Sequence, residues 1–231
     1  MRNRECKGRS FLAGSRETDA RKLLLWEDRH AMATLPVLDE LGRDYLVSIH
    51  AAIEPGNAPL LGTRPARIAL DGADCGPTVA DLISLEGFDA VLLLARWQVY
   101  LEKQGHPARN FLLTGPTGAV ISEADAARLF VKCLAETVAR LEARGTRIHL
   151  LRAFSHQPLS VAETVAQARS RGLDPNTFAL AFSEHETVDA EVKRLIDEAL
   201  SATRAVTLDP ARNTTEDEKI RFLRCRAGET G

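Results

Sequence analysis

The sequence predicts an α/β fold, a three-layer α/β/α sandwich around a mostly parallel sheet. Three short runs, Leu23–Trp26, Val91–Leu94 and Ile148–Leu151, are apolar at every position or nearly so. That pattern suits inner strands covered by helices on both faces. Between the runs lie amphipathic stretches of ten residues or more, long enough for right-handed βαβ crossovers. A length of 231 residues accommodates one such domain with a sizeable core and leaves little room for a second. We therefore expect residues 1–21 to be an N-terminal tail and residues 22–231 to form a single domain.

Composition excludes several classes of function. Thirty Lys+Arg against 32 Asp+Glu give a net charge of −2, so no global basic field draws the chain to nucleic acid. Aromatic residues are 5% of the chain, too few for a surface that stacks single-stranded bases. No apolar run approaches the roughly 18 residues of a membrane helix, so membrane insertion by this chain is not expected. The positively charged start, Met1 to Gly8, has no apolar run behind it and does not read as a signal peptide. Cys6, Cys75, Cys133 and Cys225 are widely spaced, without a C-x-x-C pair. They offer no zinc spacing, and the alternatives are free thiols or two long-range disulfides. No metal and no cofactor is expected.

In chain order, Leu23–Trp26 is the first strand, followed by a helix with Leu35, Leu38 and Leu41 on one face. Pro36 places the helix start, or a kink, beside it. Ile53 to Cys75 reads as loop, because Pro55, Gly56, Pro59, Gly62, Pro65 and Gly72 punctuate it. Phe88 to Ala95 is the central strand. Arg109 to Gly118 reads as a glycine-bearing loop, and Ser122-Glu123-Ala124-Asp125 as a capping box. The helix beyond it carries Ala127, Phe130, Val131, Leu134, Val138 and Leu141, with Gly145 in the C-cap position. After the strand at Ile148 come a helix from Ser160 to Ser170 and another opening at Ser183-Glu184-His185-Glu186. The second should bury Val188, Val192, Leu195, Ile196 and Ala199. Val206-Thr207-Leu208 is the last strand, and a polar tail follows.

In parallel sheets the ligand crevice lies beyond the carboxyl ends of the strands. That selects Glu27 to His30, Arg96 to Tyr100 and Arg152 to Pro158. No G-x-G-x-x-G follows the first strand, and Gly115-Pro116-Thr117-Gly118 lacks the lysine of a phosphate loop. Asp28-Arg29-His30 stands at a strand-to-helix corner, where backbone amides can stabilise an oxyanion. The plainer alternative is Asp28 as a helix cap in a polar loop. Arg96 and Trp97 offer bidentate hydrogen bonds and ring stacking to a sugar or carboxylate. Equally, they suit an acid-paired arginine and a tryptophan closing the core. His156 could serve as a base in the cleft, although a lone loop histidine is more often structural, and His50, His106, His149 and His185 have no partner pattern. Glu216 to Lys219 reads as solvated surface.

Taken in order, these segments resemble a known family. Leu23-Leu24-Leu25-Trp26-Glu27-Asp28-Arg29-His30-Ala31 is similar to the strand-plus-GDSHA block of SGNH-type esterases. The likeness is to the SGNH domain fused to acyltransferase-3 membrane proteins that O-acylate surface polysaccharides. Ala58-Pro59-Leu60-Leu61-Gly62 resembles that group's cysteine-proline-leucine loop, with Ala58 in place of the cysteine. Phe88 to Trp97 resembles the block ending in Ala-Arg-Trp. Gly145 to Pro158, Val206-Thr207-Leu208-Asp209-Pro210 and Cys225 continue the likeness. It implies an SGNH-hydrolase-like, flavodoxin-like fold and transfer or hydrolysis of acyl esters on sugar hydroxyls. It also implies an acyl-ester or polysaccharide substrate, a membrane acyltransferase part as partner, and an extracytoplasmic location.

Two departures bear on activity. The family's nucleophilic serine follows the aspartate, and here that position is Arg29; the preceding glycine is Glu27. A guanidinium stays protonated and cannot attack an acyl carbon. The family's base comes from an Asp-x-x-His motif, and no aspartate stands three residues before any histidine of this sequence. The resemblance thus implies a degenerate copy lacking its last motif. The alternative is a non-catalytic carbohydrate- or partner-binding module, with Arg96 and Trp97 as its contacts.

Overall fold

The computed structural model describes residues 9–28, 34–54, 56–65, 79, 87–102, 111–116, 122–152, 161–178, 181–210, 215–216 and 219–220. Two compact units divide the chain: Met1–Arg152 with Val192–Leu208, and Ala153–Glu191 with Asp209–Gly231.

The first unit is built on a six-stranded sheet. Its strands are β1 (Arg9–Gly14), β2 (Arg21–Glu27), β3 (Val47–Ile53), β5 (Ala90–Leu94), β7 (Arg147–Leu151) and β8 (Val206–Leu208). They lie in the order β1-β3-β2-β5-β7-β8. β2, β3, β5, β7 and β8 are parallel, and β1 joins β3 antiparallel at the edge. The three runs expected as neighbouring inner strands are neighbours: Leu25 stands opposite Leu92, and Leu92 opposite His149. The fold is an α/β sandwich, as the sequence predicts.

Residue alternation sorts the strands into two faces. One carries Leu25, Ile49, Ala51, Ile53, Leu92 and Leu94, with Leu35 and Leu38 of helix α1 (Leu35–Asp44) packed on it. The other carries Leu24, Trp26, Val91, Leu93, Ile148 and Leu150, all but completely buried. The crossover from β2 to β3 runs one way along the sheet and that from β5 to β7 the other. Right-handed connections therefore put α1 and helix α2 (Glu123–Glu142) on opposite faces.

Two segments differ from the expectation. Residues 9–14, within the expected tail, form β1, and Val47–Ile53 forms a strand where the reading stops at the helix. α1 begins at Leu35 with Pro36 in its first turn, the first of the two alternatives expected there. It crosses the sheet at a glycine contact: a Cβ on Gly42 would lie 2.7 Å from Gly14 Cα and from the Val47 carbonyl oxygen. Leu41 faces outward, not into the core.

Helix α2 starts in the expected capping box. The Ser122 hydroxyl accepts from Asp125 N at 3.1 Å, and the Asp125 carboxylate accepts from Ser122 N at 3.2 Å. Those bonds hold the Asp125 carboxyl below its usual value. Gly145 follows at φ 80°, the left-handed cap. The buried stripe is Ala126, Phe130, Cys133, Leu134, Thr137, Val138 and Leu141, so Ala127 and Val131 lie at its margin. Cys133 is a free, buried thiol. Within the described residues of the loop after β3, β4 (Arg64–Pro65) pairs antiparallel with β6 (Leu113–Thr114).

The second unit holds α3 (Val161–Ser170) and a short hairpin of β9 (Thr215–Glu216) with β10 (Lys219–Ile220). Helix α4 (Phe182–Leu200) begins in it and ends in the first unit. Val192, Leu195, Ile196 and Ala199 are buried as expected, but Val188 is 42% exposed. His185 and Asp189 take the inward positions on that part of the helix.

Candidate functional site at the carboxyl edge of the sheet

The carboxyl ends of β2, β5 and β7 are tied together by hydrogen bonds. β2 ends in two buried acids, Glu27 and Asp28. Glu54 N, just past β3, donates to the Glu27 carbonyl at 2.8 Å, which keeps the two strand ends in step. The Asp28 carboxylate turns toward the end of β5, and its Oδ2 accepts from Arg96 N at 3.1 Å and from the Tyr100 hydroxyl at 3.0 Å. Arg96 caps a short 3₁₀ helix (Trp97–Tyr100), so a single carboxylate oxygen holds both ends of that turn. The Trp97 indole N–H then donates to the Leu151 carbonyl at the end of β7, 3.0 Å away.

Electrostatics follow from burial. Burial pushes the Tyr100 hydroxyl well above the ordinary tyrosine value; the charge of Asp28, the hydrogen bond to it and the charge of Glu54 push the same way. Tyr100 therefore stays protonated and donates to Asp28. Asp28 is a positioning group here, holding the β2 corner against the β5 turn.

The expected site residues fall out as follows. Asp28, Arg96 and Trp97 come together at one sheet edge, as parallel strands require. Arg29, His30 and His156 lie outside the described residues. Trp97 is wholly buried, its ring edge-on to Phe130 at 5.8 Å and 68°. An indole enclosed in this way offers no face for a sugar to stack on, so Trp97 closes the core at this edge. Arg96 is half-buried. Sequence reasoning missed Tyr100 and Glu54. Tyr100 had a signal, standing four residues after Arg96 on the same short turn; Glu54 became readable only once Val47–Ile53 was known as a strand.

The fold and this edge define a class, an α/β protein whose loops gather beyond the carboxyl ends of a parallel sheet. A family model narrows it: the SGNH domain, fused to acyltransferase-3 (AT3) domains, matches residues 3–222. The chain belongs to that family, a polysaccharide acyltransferase and esterase type associated with membrane acyltransferases. A search of curated proteins found no match. No described helix is long and apolar enough to cross a membrane.

Proposed function

We propose that this chain is an SGNH domain of the polysaccharide O-acyltransferase group that has lost serine-type catalysis. The observation that carries the proposal is Arg29, next to Asp28, at the position of the family's nucleophile. In the family reaction the serine oxygen bonds to the acyl carbon, the alcohol or carrier leaves, and a sugar hydroxyl or water then takes the acyl group. Arginine supplies only N–H donors and no lone pair for the first bond. Glu27 adds a second obstacle, since it puts a buried carboxylate where the family block has glycine. Nor does any Asp-x-x-His occur in these 231 residues to supply base and orienter.

Hydrolysis of an aryl acetate tests this with three proteins: wild type, Arg29→Ser with Glu27→Gly, and that revertant carrying His156→Ala. Wild type should not exceed the buffer rate. The double revertant should recover only weak turnover, on the order of the 10³- to 10⁴-fold over water that an oxyanion site and binding give without a triad. Robust wild-type turnover would refute the proposal. Strong revertant turnover that vanishes with His156→Ala would assign the missing base to His156.

A further inference from the structure

Among the described residues β1 is the outermost strand on its side of the sheet, and it pairs with β3. The pairing continues one residue beyond the strand, where Ser15 N donates to the Val47 carbonyl at 2.9 Å. Hydrogen-bonding direction alternates along a strand, so the odd-numbered residues bond to β3. The N–H and C=O groups of Ser10, Leu12 and Gly14 therefore point away from it. Any strand added at this edge, parallel or antiparallel, would bond to those outward groups.

The composition of β1 suits such an addition. Ser10 to Gly14 contains no charge and no proline, and Phe11 and Leu12, on opposite faces, are 40% and 44% exposed. Uncharged apolar edges of this kind template pairing with other chains.

Two side chains from outside the strand stand on its outward groups. Gly14 is left-handed at φ 75°, and a Cβ there would lie 2.3 Å from the Val47 carbonyl oxygen. That turn lets Arg16 fold back along the edge, where its guanidinium donates to the Leu12 carbonyl at 3.0 Å. From α1, the Asp39 carboxylate accepts from Gly14 N at 2.8 Å. Arg43, one turn further along the helix, pairs with the same carboxylate and holds it in place. Arg16 thus occupies an outward acceptor and Asp39 an outward donor. An incoming backbone would have to displace both charged groups before it could bond there.

We infer that Arg16 and Asp39 seal the outer edge of β1, and that the strand they exclude is β1 of a second copy of this chain. Every copy carries the same uncharged segment, so the matching strand is always at hand. Two β1 edges paired antiparallel about a twofold axis place like against like and close at the dimer.

Sedimentation velocity on the full chain tests this with wild type, Arg16→Ala, Asp39→Ala, and Arg16→Ala carrying Leu12→Pro. Proline removes the outward N–H of Leu12, which β3 does not use, and so blocks strand addition while sparing the β1–β3 ladder. Wild type should remain a monomer up to about 100 μM, and each single variant should form dimers at about a tenth of that concentration. Leu12→Pro should return Arg16→Ala to monomer. Far-UV circular dichroism checks the fold of each variant; Arg16 is exposed, so Arg16→Ala carries the test if Asp39→Ala does not fold. A folded single variant that stays monomeric overturns the inference. So does association that survives Leu12→Pro, because a surface other than this edge would then hold the copies together. A wild type that is already dimeric, and that Leu12→Pro dissociates, would show the edge to be open and overturns it too.

Discussion

Asp28 Oδ2 accepts hydrogen bonds from Arg96 N and from the Tyr100 hydroxyl, both on the turn after β5. The tyrosine donor is the more informative of the two, because it is wholly buried and can be removed without touching the backbone. Tyr100→Phe keeps the ring and deletes the O–H. We expect a loss of about 1–3 kcal/mol in urea unfolding, since a buried carboxylate loses one partner. The same variant carries a pH signature. The folded Tyr100 value is raised, whereas the unfolded chain releases this proton near the ordinary value of about 10. Stability from this group is therefore complete below about pH 10 and declines as pH rises through that value and beyond. Tyr100→Phe should flatten part of the alkaline limb, and an unchanged limb would show that Tyr100 does not contribute. At this scale the sequence was half legible. Asp28 and Arg96 stood out because polar residues directly follow apolar strands. The burial of Trp97 did not, because a tryptophan at a strand end reads the same whether it faces a ligand or the core.

Secondary-structure elements were legible where both faces of a strand are apolar. β2, β5 and β7 qualify, and β8 followed from its position after a helix. β3 escaped because Ser48 and His50 alternate with its apolar residues, and because α1 runs into it through only Tyr45 and Leu46. β1 escaped because this edge strand carries little buried apolar surface: Ala13 is buried while Phe11 and Leu12 are exposed. The polar residues on buried stripes were missed for a similar reason. Thr137 spends its hydroxyl on the Cys133 carbonyl at 2.6 Å, and His185 sits 3.4 Å from Asp189 one helical turn away. Each is buried, yet an apolar count leaves it out. The α1 crossing makes a sharp prediction at this scale. Gly42→Ala should destabilise the protein by roughly 1–3 kcal/mol, despite alanine's higher helix propensity, because the new methyl meets backbone atoms of Gly14 and Val47. Urea unfolding measures it, and a neutral or stabilising result would mean that α1 can shift off the sheet freely.

The whole molecule derives its site from topology. Parallel strands share a carboxyl edge, so segments far apart in sequence, Asp28 and Arg96 at a separation of 68 residues, meet without any long-range motif. For that reason the meeting of Asp28 with Arg96 could be read from strand order alone, while the bonds between them could not. The family match spans residues 3–222, and in our proposal Glu27 and Arg29 stand as substitutions in the block that carries the family's chemistry. Packing around the corner is intact: Asp28, Trp97 and Tyr100 are buried and hydrogen-bonded in one connected edge. A family scaffold retained around a replaced nucleophile is the central claim. Exposure of the full chain to a fluorophosphonate probe, followed by intact-mass analysis, tests it most directly, because the probe forms a covalent bond only with an activated hydroxyl. The account predicts an unchanged mass for wild type. A stoichiometric adduct on wild type, mapped to any serine or threonine of the first unit, would contradict it.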